Sequence, residues 1–237
     1  LEVAESSLDV IGPLARDLDV LEQVSRVIST FGEGDGNAPE TRGAGAVLSD
    51  LGGVECSADV RAVYAKACAR LGALQTAKLS QPLSRIRFAG FIKTTRSMAA
   101  HFADADPALL SPTLSKLMAY GMKRSQADWV EDQAVLAQAA AEASELVKRN
   151  SFLILPTAPQ AAFPHSEAAP ANQADFTCLA NVANLPAITI PAGWSEDGMP
   201  IGVQLLGQTG HEAHLFALAR ALDSALAAYR PPANFAH

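Results

Sequence analysis

The sequence predicts an α/β fold in which a β-sheet lies between layers of helices. Three short, mostly apolar runs bounded by Pro or Gly, at 152–155, 187–190 and 203–206, have the character of strands buried on both faces. Most of the chain before 150 and after 210 instead carries apolar residues at intervals of three and four, which is typical of helices packed on one side. Because helix follows strand in the last third, the layers of an α/β fold are expected.

The first predicted helix spans residues 14–28, where apolar residues recur on one helical face. The Gly-rich stretch 32–39 then breaks all periodicity and predicts a surface loop. A glycine-rich loop can also cradle a phosphate, but this one lacks Gly-Lys-Ser/Thr and carries two acidic residues that would repel the ligand. The loop interpretation is therefore preferred.

Turn and capping residues predict where the next strands and helices begin and end. A short strand is expected at 44–48, and Ser57 is expected to cap a helix that stops near Gly72. Pro156 and Pro191 are expected to end their strands, because proline cannot donate to a ladder of hydrogen bonds.

The remaining helices are marked by their first residues. Ser111 before a proline predicts a helix that ends near Gly121. Ser125, with an aspartate three residues later, resembles a capping box and opens a long Ala-rich helix to about Lys148. A last helix is expected from about 211 to 228, after the third apolar run.

Composition excludes several classes of protein. A chain of 237 residues with 49% hydrophobic content is long enough for one sizeable core, so residues 1–237 are expected to form one domain. The net charge of -7 and the lack of a basic stripe argue against nucleic acid as a partner. No apolar window reaches the about 18 residues of a membrane span, and the chain lacks a signal-peptide pattern.

The three cysteines form an odd set without Cys-x-x-Cys spacing: Cys56, Cys68 and Cys178. A disulfide framework or zinc knuckle is therefore disfavoured, and a cytoplasmic location is expected. The chain begins at Leu1, without Met, close to a dense, turn-bearing segment. Natural starts are usually looser, so a cut inside a domain is expected.

Two segments resemble the amidase-signature family. The first, Ser-Ser-Leu-Asp-Val-Ile-Gly-Pro-Leu-Ala-Arg at 6–16, is similar to a stretch downstream of the nucleophile in those enzymes. The second joins a proline-terminated run at 154–159, Asn-Val-Ala-Asn-Leu-Pro-Ala at 181–187, and Gly-Met-Pro-Ile-Gly-Val-Gln at 198–204. Asn184 replaces a family glycine there, and Asn also tolerates positive φ. The middle of the chain matches only in helical character.

The resemblance implies the carboxyl-terminal portion of an amidase-signature fold, with part of a large mixed β-sheet sandwiched between helices. It implies hydrolysis of a small-molecule amide through an acyl-serine intermediate, with no cofactor and no metal. The family's lysine and two serines belong to a segment with a Gly-Gly-Ser-Ser-Gly-Gly-Ser-like loop, and no such loop occurs in this sequence. No catalytic residue is therefore assigned in this chain, and the missing amino-terminal half of the fold is an expected partner.

Phe176, Thr177 and Asn181 are the candidate substrate-binding residues, because they precede the Asn184-Leu185-Pro186 turn. The resemblance places the site where loops from both halves meet at the edge of the sheet. The alternative is a loop that only packs over the sheet. The helix expected from about 83 to 102 also carries arginines and Phe88, which suit an acid or an aromatic group, or equally form a solvated face.

Other interpretations stay open or weak. Ser115-Lys116 and the Lys78/Ser80 pair lack a strained turn and glycine donors, and His211 with His214 lacks a third metal ligand. A rival function is a non-catalytic, amidase-like binding or partner subunit. An amidotransferase subunit of the transfer-RNA-dependent kind is a third, although the acidic charge gives it no support. A homo-oligomer is possible, and the sequence does not disclose the substrate.

Overall fold

A computed structural model describes residues 7–29 and 44–231, so the predicted loop at 32–39 lies outside the described residues. The helices are α1 Leu18–Ile28, α2 Ala58–Arg70, α3 Leu83–His101, α4 Pro112–Met122, α5 Gln126–Arg149, α6 Cys178–Ala183 and α7 Glu212–Leu226. The strands are β1 Ala46–Leu48, β2 Gln75–Ala77, β3 Leu153–Pro156, β4 Ala187–Trp194 and β5 Pro200–Leu206. None of these helices is long and apolar enough to cross a membrane.

The five strands form one mixed sheet in the order β2-β1-β3-β5-β4. Strand β1 is parallel to both β2 and β3, whereas β5 is antiparallel to both β3 and β4. The three apolar runs predicted as strands all lie in this sheet, and the predicted mixed α/β architecture is confirmed. Strand β2 was not predicted, because its Gln-Thr-Ala sequence is short and mostly exposed.

Helices cover both faces of the sheet. We call the face covered by α3, α5 and α6 the front face and the face covered by α2 and α7 the back face. Alternation along β3 divides the core between them, because Leu153 and Leu155 join the front cluster while Ile154 joins the back cluster. Helix α1 packs on α7 at the back, with no buried residue of its own.

Strand β4 differs from its prediction in two ways. Ile188 and Ile190 are buried, but Ala187 and Thr189 are exposed, so burial on both faces was wrong for this strand. The strand also continues beyond Pro191 to Trp194, with an irregular register between Pro191 and Gly193. Among the described strands β4 pairs only with β5, and this edge position explains the tolerated proline.

The predicted helix caps are confirmed at Ser57, Ser111 and Ser125, whose hydroxyl oxygens each accept a hydrogen bond from a backbone N–H three residues later. Helix α1 begins later than predicted. Asp17 caps it by accepting a hydrogen bond from Val20 N–H, and the apolar Leu14 lies outside the helix, fully exposed.

The arginine side of α3 is not the solvated face that one interpretation expected. Arg85 lies 2.7 Å from the carboxylate of Asp132 in α5, and Arg124 lies 2.8 Å from the same carboxylate, which is fully buried. Burial raises the pKa of Asp132, but the hydrogen bonds from Arg124 and Arg85 outweigh it, and the pKa lies below its ordinary value. The cluster thus ties α3 to the start of α5.

Candidate functional site

The segment predicted as a loop around Thr177 is mostly helical. Helix α6 occupies Cys178–Ala183, and the amide of Cys178 already donates to the carbonyl of Ala174. Asn184 ends the helix with φ of 51°, the left-handed conformation that asparagine tolerates. The helix is only six residues long, too short for its periodicity to identify it in the sequence.

The three predicted substrate-binding residues face different surroundings. Phe176 is fully buried in the front core, and Thr177 is half-buried at the start of α6. Asn181 is also half-buried, and its Nδ2 donates a hydrogen bond of 2.7 Å to the carbonyl of Leu8. The Phe176 side chain therefore packs in the core behind α6. The role of these residues in substrate binding stays a prediction.

Asp175 and Arg87 form an ion pair beside these residues. Arg87 Nε donates to Asp175 Oδ1, joining α3 to the turn before α6 across 88 positions of sequence. The Asp175 side chain is 3% exposed, whereas Arg87 is 25% exposed. A guanidinium carries five N–H donors, so a single carboxylate does not saturate it. The pair thus leaves hydrogen-bond donors of Arg87 free for a ligand at the turn before α6.

The segment Ser7-Leu8 lies across the same two helices. Lys93 Nζ donates to Ser7 Oγ, and a Cβ atom at Gly90 would lie 3.9 Å from Leu8 Cδ1. Together with Arg87, these α3 residues follow one another at intervals of three, so they lie on one side of the helix. The candidate site is therefore a ridge of α3 and the start of α6, bridged by Ser7-Leu8.

Four residues lie on the front face of β4 and β5 and at the end of β3, and we call them the front shelf: Thr157, Thr189, Gly202 and Gln204. A Cβ atom at Gly202 would lie 3.0 Å from Thr157 Oγ1 and 3.2 Å from Thr189 Cγ2. The absence of a side chain at Gly202 therefore lets the two threonine side chains lie close over the strand. Gln204 Nε2 donates to the carbonyl of Pro156 at 3.2 Å. Thr157 Oγ1 is buried without a hydrogen-bond partner among the described residues.

Cys178 stands at the start of α6 but is not suited to nucleophilic attack. Burial, with a contribution from the nearby Asp175, raises the pKa of its thiol to about 12. Its Sγ donates to the carbonyl of Asp175 at 3.4 Å. At neutral pH the sulfur is protonated, and the thiolate is the reactive form.

The other hydroxyls considered in the sequence have structural contacts. Ser115 Oγ donates to the carbonyl of Ser111 at 3.2 Å within α4. Ser80 Oγ donates to the carboxylate of Glu142 on α5. Both serines and their neighbours Lys116 and Lys78 are exposed, as lysine and serine side chains mostly are in folded proteins.

The histidine pair lies far from this ridge in sequence and borders a narrow cavity between α5 and α7. His211, His214 and Ser151 line that cavity, and His214 Nε2 is buried without a hydrogen-bond partner in the described part of the chain. Within residues 7–29 and 44–231, no three His, Cys, Asp or Glu side chains are grouped to hold a metal. A cleft of about 410 Å³ lies elsewhere, between the end of β2 and α5.

Sequence reasoning missed Asp175, the ion pair and the front shelf. Asp175 directly precedes Phe176 and Thr177, and a carboxylate next to a predicted wall is a signal that was present. Its partner Arg87 stands out in the sequence only as one of several arginines, because no local pattern connects positions 88 residues apart.

Comparisons with known proteins identify relatives over most of the chain. The family model described as Amidase matches residues 2–216. The A subunit of glutamyl-tRNA(Gln) amidotransferase from Granulibacter bethesdensis is 38% identical over 110 residues, which are 44% of this chain and 22% of that protein. Its counterpart from Methylocella silvestris is 36% identical over 86 residues, covering 34% of this chain and 17% of the relative.

Solved structures share the fold. The A subunit of glutamyl-tRNA(Gln) amidotransferase from Thermotoga maritima matches with a TM-score of 0.70 and 23% identity, covering 93% of this chain and 53% of that one. A structure described as an amidase matches with a TM-score of 0.72 and 19% identity, covering 91% and 52%. The chain thus spans about half the length of these two solved structures, and its matched stretches cover less than a quarter of the curated relatives.

Proposed function

Because this chain belongs to the amidase family, we propose that it forms the substrate-facing, carboxyl-terminal part of an enzyme that hydrolyses a carboxamide to a carboxylate and ammonia or an amine. In this proposal an activated serine outside this chain attacks the amide carbonyl, the nitrogen leaves after protonation, and water hydrolyses the acyl-serine. This chain contributes part of the sheet and one wall of the pocket.

The ion pair of Arg87 and Asp175 is the observation that supports this role best. It holds a partly exposed guanidinium against Asp175 in the turn before α6, and Arg87 lies on the same side of α3 as Gly90 and Lys93, which contact Ser7-Leu8. A buried carboxylate fixes the orientation of the guanidinium, and an oriented arginine recognises carboxylates and carbonyls well. The proposed substrate is therefore a small amide that carries a carboxylate or a second carbonyl.

The test is the hydrolysis of neutral and carboxylate-bearing amides by the complete enzyme and by its Arg87→Lys and Asn181→Ala variants. Arg87→Lys keeps the charge but loses the planar fork, so kcat/KM for carboxylate-bearing amides should fall more than tenfold, roughly the effect of 1.4 kcal/mol, while neutral amides change little. Asn181→Ala should alter kcat/KM more than it alters the melting temperature.

The matched control is Arg149→Lys, which changes an exposed arginine on α5. It should leave kcat/KM unchanged for both neutral and carboxylate-bearing amides. A loss of melting temperature with unchanged kcat/KM in Asn181→Ala would make that residue structural. Equal losses on all amides in Arg87→Lys would remove Arg87 from substrate recognition.

The second candidate function is that of an amidotransferase subunit, and the names of the curated relatives favour it. The two functions differ in the fate of the nitrogen. A hydrolase releases it as free ammonia or amine, whereas an amidotransferase delivers it to an acceptor. Supplying isotope-labelled amide together with glutamyl-tRNA(Gln), and locating the label, distinguishes them.

A further inference from the structure

The cavity at the start of α7 suits a neutral histidine. His214 is the third residue of α7, and its Nε2 is buried without a hydrogen-bond partner among the described residues. The cavity has no room for a water molecule, so solvent cannot supply that partner. A neutral imidazole can leave this nitrogen unprotonated, whereas an imidazolium must carry an N–H on it. Protonation of His214 in place would therefore bury a charged donor without an acceptor.

The surroundings of His214 oppose a positive charge. In the described part of the chain no carboxylate lines the cavity, whose other lining residues are Val147, Ser151, Gly207, Gln208, His211 and Leu215. The carboxylate of Glu212 accepts a hydrogen bond of 3.1 Å from the amide of Gly210. The first turn of a helix also carries a partial positive charge. Burial lowers the pKa of His214, and His211 lowers it further.

Charged groups on the elements around α7 are paired with one another or exposed. The pairs are Lys148 and Arg149 with Glu145 in α5, and Asp19 and Glu22 of α1 with Arg220 of α7. Strands β4 and β5 carry no charged residue. In α2, Asp59 accepts a hydrogen bond from the amide of Glu196, and the exposed cations are Arg61, Lys66 and Arg70. Asp223 lies more than two turns further along α7. His211 is thus the titratable neighbour that matters for His214.

The segment 207–211, which follows β5 and borders the cavity, also holds the turn that ends α6. The amide of Gly207 donates to the carbonyl of Pro186 at 2.9 Å. Thr209 Oγ1 donates to the carbonyl of Asn184 at 3.0 Å. These two hydrogen bonds connect the start of α7 to the end of α6.

Helix α7 packs directly on this segment. A Cβ atom at Gly207 would lie 3.2 Å from Leu215 Cδ1, and Leu215 is buried in the back cluster. His214 directly precedes Leu215 and shares its cavity with Gly207. Movement of the imidazole out of the cavity therefore displaces the first turn of α7 relative to Gly207.

We propose that His214 is a pH-sensitive switch that connects α7 to the turn that ends α6. The neutral imidazole packs in the cavity and holds segment 207–211 against Asn184 and Pro186. Protonation moves the imidazolium into solvent, and the segment loosens as its two hydrogen bonds to that turn are lost. A solvated imidazole has the ordinary pKa of about 6.5, whereas the buried one has a lower pKa. The open form therefore gains as the pH falls below about 6.5.

Hydrogen exchange of the chain, followed by NMR from about pH 7.5 to about pH 5.5, tests the switch. The protection factor of the Gly207 amide, which is the intrinsic exchange rate divided by the observed rate, should fall several-fold and at most about tenfold. The amide of Trp129, which donates to Ser125 at the opposite end of α5, should keep its protection factor within about twofold. The Asn184 amide and the His214 imidazole should titrate with one shared midpoint below about 6.5.

Three histidine variants identify the titrating group. His214→Phe keeps an aromatic ring that cannot be protonated, so protection of Gly207 should no longer depend on pH; His214→Gln serves the same purpose if the Phe variant does not fold. His211→Asn should keep the decline, because the buried nitrogen without a partner belongs to His214. The matched control is His165→Asn, which changes an exposed histidine and should behave like the unsubstituted chain.

Two results would overturn the switch. One is a Gly207 protection factor that stays constant in mild acid or falls equally in His214→Phe. The other is a parallel loss of protection at Gly207 and Trp129, because protonation would then unfold the whole chain and not one segment. Amide hydrolysis enters none of these measurements, so the proposed function can fail while the switch stands, and the reverse.

Discussion

Asp175 and Arg87 link the turn before α6 to α3 through an ion pair whose carboxylate is almost entirely buried. Replacing Arg87 by Met should destabilise the chain by ~3 kcal/mol, because it leaves a buried carboxylate without its partner. Urea unfolding followed by circular dichroism measures the change.

The matched control for that substitution is Arg149→Met, which removes a guanidinium that is 78% exposed and 3.8 Å from Glu145. Its effect should be below ~0.5 kcal/mol, as for most exposed pairs. Similar losses in the two variants would show that Asp175 is not dependent on Arg87.

The free energy of unfolding should fall in acid as the carboxylate of Asp132 becomes protonated. Its pKa in the folded chain lies below the ordinary value, because the hydrogen bonds from Arg124 and Arg85 outweigh the effect of burial. The resulting stabilisation is present above the unfolded pKa of about 3.9 and is lost as the pH falls through the lower, folded pKa. Asp132→Asn should therefore cost ~3 kcal/mol at neutral pH, with the difference shrinking below about pH 4.

Denaturant midpoints of the two proteins across the acid range measure this convergence. Asp197→Asn, which changes an exposed carboxylate, should run parallel to the unsubstituted chain at every pH. A constant difference between Asp132→Asn and the unsubstituted chain down to strong acid would contradict the assigned ionisation.

His214 should oppose folding at mildly acidic pH. Burial lowers its pKa, and the neighbouring His211 lowers it further. The unfolded chain therefore binds a proton more readily, so stability is lost as the pH falls below the ordinary value of about 6.5. His214→Phe should flatten this decline and remove a buried nitrogen that has no hydrogen-bond partner among the described residues, a gain of about 1 kcal/mol. Melting temperatures between neutral and mildly acidic pH measure it, and exposed His165→Asn should keep the original slope.

Two helical glycines should respond oppositely to alanine. At Gly121 of α4 a Cβ atom would lie 2.2 Å from Thr95 Oγ1 and 2.8 Å from Thr95 Cβ, both in α3. The helix-propensity gain of about 1 kcal/mol is then outweighed by a clash of at least ~2 kcal/mol. At Gly90 of α3 the nearest atom would be Leu8 Cδ1 at 3.9 Å, so Gly90→Ala should stabilise by up to about 1 kcal/mol. Changes in the free energy of unfolding, relative to the unsubstituted chain, that have the same sign for the two variants would contradict this packing.

Local patterns in the sequence predicted most of the helices and strands. Serine caps such as Ser57 and Ser125 locate helix starts because the capping interaction spans only three residues. Apolar runs identify β3 and β5 because both are buried on two faces. Pro191 was wrongly expected to end its strand, since only the position of β4 at an edge makes a proline acceptable there.

The candidate site was less accessible to sequence reasoning. Asn181 is a candidate because of its place before a turn, yet its side chain binds the backbone of Leu8, 173 positions away. The pairing of Arg87 with Asp175 likewise depends on how α3 and α6 pack. A single sequence shows no sign of such distant contacts, whereas caps and strand runs are encoded locally.

The attachment of α1 to α7 makes one part of this molecule sensitive to ionic strength. Arg220 holds Asp19 and Glu22, while α1 buries no residue completely. Dissolved ions screen charges over about 10 Å at 0.1 M and about 3 Å at 1 M, whereas burial of Leu18 and Leu21 is little affected by such screening. Rising salt should therefore loosen α1, the helix that carries the exposed Val20, Val24 and Val27, while it leaves the sheet intact.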